Sequence, residues 1–274
     1  MSDAVVVSWM FPEMTSGWFT YSMVDMMRYD SAVSRYMCQA DGGIISLSTG
    51  PRIAEARNQI VDVFADQHPN ADWLLMLDSD MTFSADLLDR LMDVADPEKV
   101  PIVGGLCFAG GKKNDPYPTV YRLTQQGEGD SQYASIDRVY DYPRNALVKV
   151  GATGGACLLM HRGVLAAMKV AFDKTPDGRP NAYPWFQEGI IGPNGEPWGE
   201  DILFCLRANQ LGIPVHVHTG VKLGHVKHHI IDETYYDNYR RSAELTEAGL
   251  YDTEHKAKPN RAQRRAEARK KVRV

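Results

Sequence analysis

Several things are scarce in this sequence, and each scarcity excludes a class of protein. No apolar run approaches the roughly 18 residues that cross a bilayer as a helix, so no membrane span is expected. Met1-Ser2-Asp3-Ala4 has neither the basic start nor the long apolar stretch of a secretory signal, and the expected location is the cytoplasm. Cysteine is rare: Cys38, Cys107, Cys157 and Cys205 stand among apolar neighbours, with no CxxC pair. That pattern excludes a disulfide framework or zinc ribbon and predicts reduced core thiols. Internal repeats are also lacking. Positive charge is scarce except at one end. His255–Val274 holds nine Lys/Arg and one acid, a charge of +8; against a total of −5, residues 1–254 carry −13. An acidic body argues against a nucleic-acid-binding face. It suits a protein that recruits a cation to hold phosphates.

Hydrophobic residues make up 44 % of the 274, ample for one large α/β domain with appendages. Ala4–Trp9, which contains Ser8, is an apolar run of strand length. Ile53, Ala56, Ile60 and Phe64 recur at helical spacing from Pro51 to about His68. Trp73–Leu77 is a continuous apolar strand ending in Asp78-Ser79-Asp80. Ser84 is placed to cap a helix to about Ala95, and Ile102–Cys107 is another strand. Met37–Gln39 and Ile44–Leu47 read as short β-like pieces. This alternation predicts an α/β fold with a mostly parallel central sheet and helices on both faces. Ligands of such sheets bind at the carboxyl ends of the strands, where Asp78 and Asp80 lie. Beyond residue 108 the expected elements are a hairpin (Thr119–Leu123 with Tyr133–Val139), a strand at Cys157–His161 and a helix near Gly163–Val170. A long Pro- and Gly-rich loop over Phe172–Trp198, a helix over Asp201–Leu211 capped by Gly212, and short strands at Val215–His218 and Val221–Leu223 complete the pattern.

The aspartate pair is the central feature. In an extended segment, residues i and i+2 point to the same side. Two close carboxylates repel unless a cation neutralises them, and Mg²⁺ or Mn²⁺ does so with oxygen ligands from protein and diphosphate. The pair also fits Asp78-Ser79-Asp80-Met81-Thr82, the D-x-D-x-T pattern of haloacid-dehalogenase-like phosphatases. That motif normally opens a chain; here about seventy residues precede it.

Four segments, in order, resemble the GT-A glycosyltransferases, especially their family-2-like branch: Ile53-Ala54-Glu55-Ala56-Arg57-Asn58, Asp78-Ser79-Asp80, Gly151-Ala152-Thr153-Gly154-Gly155-Ala156 and Trp198-Gly199-Glu200-Asp201. Gly224-His225 extends the likeness, and in gross character the chain is similar to small phage-encoded members, whose location is the host cytoplasm. The resemblance implies a Rossmann-like nucleotide-diphospho-sugar transferase domain over residues 1–252, with a nucleotide-binding half (1–107), an acceptor- and metal-completing half (146–228) and a basic tail (253–274). Implied donor contacts are Ser8, Arg57, Asn58, Asp78, Ser79, Asp80, Gly154 and Gly155. Mn²⁺ or Mg²⁺ would be held by Asp78, Asp80 and His225, with His228 as a competing histidine. Asp201 is the implied general base of an inverting transfer, with Glu200 beside it, and Trp185 and Trp198 the implied acceptor platform. The implied donor is a nucleotide sugar, most commonly UDP-linked. The acceptor stays open among protein, glycan, lipid and modified DNA, and the basic tail could grip an acidic partner. Three alternatives stand beside this reading: a retaining transferase of the same fold, the phosphatase, and a non-catalytic sugar- or nucleotide-binding module.

Overall fold

A computed structural model describes residues 3–50, 52–110, 115–126, 133–175, 177–188, 190–191, 197–227 and 230–247. Pro51, His228 and the basic tail lie outside them. The chain falls into two compact units, Met1–Glu233 and Thr234–Val274. The described part of the second is the body of a helix over Glu233–Glu247. No described helix is long and apolar enough to cross a membrane.

The first unit is organised by a seven-stranded sheet. Its strands are β1 (Val5–Phe11), β2 (Gly43–Ser48), β3 (Trp73–Asp78), β4 (Ile102–Leu106), β5 (Leu147–Val150), β6 (Cys157–His161) and β7 (Val215–Lys222). They lie side by side in the order β5-β7-β4-β6-β3-β1-β2. β2, β1, β3, β4 and β7 run one way; β6, between β3 and β4, and β5, at one edge, run the other. The expected mostly parallel α/β sheet is therefore what the chain forms. β3 is buried at every position except Asp78, which is only partly covered. That near-continuous apolar character is what a strand covered on both faces requires.

Strand alternation sorts the helices. Val5, Val7, Trp73, Leu75 and Leu77 cluster with Phe19, Met23 and Met26 of α1 (Gly17–Ala32) and with Leu87, Leu88 and Leu91 of α3 (Leu87–Met92). Leu74 and Met76 point the other way. On that side lies α2 (Ile53–Gln67), whose Arg57 touches the Met76 sulfur. α4 (Arg162–Ala171) follows β6, and α5 (Glu200–Gln210) precedes β7.

Three local expectations need correction. Met37–Gln39 forms no strand: the buried Asp30 carboxylate accepts the backbone N–H groups of Tyr36, Met37 and Cys38 and holds them in a tight loop. Cys38 is consequently exposed, so the core thiols are Cys107, Cys157 and Cys205. The helix after the aspartates is Leu87–Met92, preceded by Asp86, and shorter than the stretch from Ser84 to Ala95.

Candidate active site

The register of β6 against β3 builds the first half of the site. Cys157 stands opposite Leu77, so the backbone N–H of Asp78 meets the Ala156 carbonyl at 3.0 Å. The glycines at 154 and 155 thereby come alongside the end of β3. Into this corner α2 sends Arg57, whose side chain is only 3 % exposed. Its guanidinium donates to Asp78 Oδ1 (2.8 Å), to Glu200 Oε1 (3.2 Å) and to the Gly155 carbonyl (2.9 Å). A methyl group on Gly155 would lie 2.9 Å from the guanidinium carbon, so only glycine lets the arginine through. Arg57 was expected to contact donor phosphate. It ties α2, β3, the 154–156 turn and α5 together, because burial requires its charge to be matched by protein carboxylates. The same pairing leaves Asp78 poorly placed as a phosphatase nucleophile.

Glu200 and Asp201 open α5, where carboxylates are favoured by the helix dipole. Glu200 is taken by Arg57. Asp201 accepts the backbone N–H groups of Ile202 (2.7 Å) and Gly155 (3.1 Å). Burial first, and then the neighbouring Glu200 charge, push the Asp201 carboxyl up to about 6, against the pull of Arg57 and the two N–H groups. A carboxylate poised there is matched to proton uptake near neutral pH. Burial likewise pushes Asp78 up, with Asp80 and Glu200 adding to it and Arg57 opposing.

The second half is built by the strand Gly224–Val226, which pairs antiparallel with Met81–Thr82. His225 is thus set beside Asp80, 145 residues away, with Nε2 3.0 Å from Asp80 Oδ2. Its Nδ1–H donates to the Phe108 carbonyl at 3.1 Å, which fixes the ring and directs Nε2 at the carboxylate. Lys227 Nζ also donates to Asp80 Oδ2, at 2.9 Å. Burial pushes the Asp80 carboxyl up, but the hydrogen bonds and charges of His225 and Lys227 hold it below its ordinary value.

The two aspartates therefore diverge. Residues 79 and 80 form a turn rather than a continued strand, so Asp78 faces Arg57 while Asp80 faces His225 and Lys227. Among the described residues no group of three ligand-type side chains is close enough to hold a metal ion, so Asp78, Asp80 and His225 do not form a ready triad. Asp80 and His225 do fit as a two-residue seat, a carboxylate oxygen and an oriented imidazole nitrogen standing 3.0 Å apart. A hydrated divalent cation bound to phosphate needs no more from the protein.

The chain's overall path is similar to that of solved glycosyltransferases. A crystal structure of a Drosophila beta1,4galactosyltransferase 7 catalytic domain with xylobiose aligns at TM-score 0.43 and 16 % identity, covering 93 % of this chain and 82 % of that one. GalNAc-T7 with UDP, GalNAc and Mn²⁺ aligns at TM-score 0.45 and 11 % identity, over 82 % of this chain and 43 % of that one. A protein from STIV aligns at TM-score 0.46 and 16 % identity, over 82 % and 86 %. No protein-family model and no curated protein matches the sequence.

The other expected site residues are dispersed. Ser8 is fully buried in β1 and its hydroxyl donates to the Leu75 carbonyl, so it braces the sheet. Asn58 is buried as well. Its amide donates to the Phe186 carbonyl and accepts the Trp185 and Phe186 N–H groups. Arg207 grips the same stretch from α5, donating to the carbonyls of Tyr183 and Trp185. Part of the long loop is therefore fastened down, and Trp185 is packed against α4 with its indole N–H on the Leu165 carbonyl. A buried indole held in this way offers no open stacking face. Trp198 is half-buried on a short strand just before Glu200, and Ser79 accepts the Ser16 N–H with its carbonyl at the rim. Gly154 packs against Thr119 beside Gly155. Lys227 was missed by sequence reasoning. Its only sequence signal is a spacing of two from His225, which places both side chains on the same side of a strand.

Proposed function

We propose that the chain is a GT-A glycosyltransferase that moves a sugar from a nucleoside-diphosphate sugar, UDP-linked by resemblance, to an acceptor hydroxyl with inversion. The observation that carries this reading is Asp201: a carboxylate raised to about 6, anchored by two backbone N–H groups and lying across the Arg57 bridge from the aspartate-bearing end of β3. Asp201 accepts the acceptor's proton as its oxygen attacks the anomeric carbon. Glu200 is a positioning residue, because its carboxylate is spent on Arg57. Asp80 and His225 are the residues to hold Mn²⁺ or Mg²⁺, and imidazole favours the former. A cation bound there supplies positive charge to the departing diphosphate. Lys227, half-exposed on the same carboxylate, is within the same seat and is free to exchange Asp80 for a phosphate oxygen when the seat is filled. The arrangement performs electrostatic stabilisation on one side and proton removal on the other, which is the division of labour that transfer requires.

The test is a nucleotide-sugar screen by thermal shift, with and without Mn²⁺, on the wild type and on Asp80→Ala. The expected result is a cation-dependent shift with one donor that Asp80→Ala abolishes. A shift that survives in the variant removes the metal seat, and no shift with any donor removes the transferase reading.

A further inference from the structure

An unassigned cluster lies against the 152–153 strand, which leads to the contact of Gly155 with Asp201. Strand 120–126 pairs with 133–138, placing Tyr121 opposite Arg138, and its other edge pairs with 152–153, placing Tyr121 opposite Ala152. Directly opposed side chains share a face of a sheet, so Tyr121 and Arg138 stand together. The 152–153 strand is also the one that α5 lies along. Cys205 donates its thiol to the Thr153 carbonyl, Asn209 donates to the Gly151 carbonyl, and Gly155 meets Asp201. From the other direction, strand 116–118 brings Tyr117 under the guanidinium of Arg138, 3.9 Å from ring centre to Cζ. Strand 116–118 pairs with 108–110, and Phe108 carries the carbonyl that orients His225. The cluster is therefore tied through strand pairings to both halves of the site.

Arg138 is exposed, yet it is held. Tyr117 stacks beneath it, Tyr121 stands directly opposite it in the strand pair, and Tyr140 follows two residues along the chain. Among the described residues no carboxylate pairs with it. Its neighbour Asp137 projects to the opposite face of the strand and is bonded to Thr124. In an acidic body, a guanidinium stacked on an aromatic ring and left, among the described residues, without a counter-charge is a pre-formed fork for a planar or tetrahedral anion. Burial pushes the Tyr121 phenol up, and Tyr117 and the Asp201 carboxylate add to it.

We infer that Arg138, framed by Tyr117, Tyr121 and Tyr140, binds an anionic group, phosphate or carboxylate, of a sugar substrate seated against Asp201. This inference rests on the transferase reading for the identity of the substrate, and on the cluster alone for its charge. Two sources supply such an anion: the donor diphosphate, or an acidic acceptor sugar.

The full-length protein, as wild type, Arg138→Met and Arg138→Gln, is titrated with UDP, glucuronic acid and glucose by ligand-observed NMR. Thermal unfolding of each variant verifies that it is folded. Loss of the fork is expected to weaken one charged ligand by about tenfold or more in both variants. A loss confined to glucuronic acid locates the anion on the acceptor; a loss confined to UDP locates it on the donor. Folded variants that bind both charged ligands as the wild type does overturn the inference. So does a wild type that binds glucose as tightly as glucuronic acid while UDP ignores Arg138. UDP binding that is lost in Asp80→Ala, with neither UDP nor glucuronic acid weakened in the Arg138 variants, leaves the transferase reading standing and removes this one alone.

Discussion

Arg57→Met separates a latch from a ligand-binding residue. In the wild type the guanidinium is buried and donates to two carboxylates and one carbonyl. Methionine fills a similar volume but leaves Asp78 and Glu200 facing each other without a cation. Removing one partner from a buried ion pair costs about 3–5 kcal/mol. For a chain of this size each kcal/mol shifts the unfolding midpoint by about 2–4 °C, so a fall of roughly 6–20 °C is expected. The pH dependence supplies the second arm. Burial already pushes Asp78 up, and the guanidinium pulls against it. Without that pull, folded Arg57→Met binds a proton at higher pH than the folded wild type. The deficit is then full at pH 8 and shrinks as the pH falls and the carboxylates neutralise. Chemical unfolding followed by circular dichroism at pH 8 and pH 5 measures both. A loss under about 1 kcal/mol at pH 8, or one that does not shrink at pH 5, refutes the latch. A variant of unchanged stability with weakened donor binding restores the phosphate-contact role.

Three further outcomes follow from the same corner. Asp201 must be ionised to take a proton, so transfer is expected to rise with pH, reach half its plateau near pH 6 and fall about tenfold per unit below that; Asp201→Asn should cost about 10²–10⁴-fold in rate, and a flat profile between pH 5 and 8 would assign the base elsewhere. Because folding raises this carboxyl above its ordinary value, its linkage to stability has the opposite sign: stability grows as pH falls through about 6 towards 4, which pH-dependent unfolding of wild type against Asp201→Asn will read. Gly155→Ala inserts a methyl 2.9 Å from a guanidinium that is bonded on all sides, and is expected to lose about 1–3 kcal/mol together with transfer activity; full stability in a thermal melt would show that the turn can yield.

Periodicity and composition, without any coordinates, determined the class of this chain. The apolar run Trp73–Leu77 is a strand because a sheet covered on both faces needs apolar residues at every position, and Ile53–Gln67 is a helix because Ile60 and Phe64 must share one face. The carboxylates at 78 and 80 mark the functional end of the sheet for the same local reason: the strand stops where the chain turns polar. Which partner each carboxylate keeps was not legible. The turn at residues 79 and 80 separates two side chains that an extended segment would have set side by side. The pairing of residues 224–226 with 81–82 joins His225 and Lys227 to Asp80 across 145 residues or more, and nothing local encodes that register. Burial, a property of the whole fold, gives Arg57, Asn58 and Trp185 partners inside the protein. A charge or amide removed from water must find its partners within the protein, and only the tertiary structure decides which residues are removed.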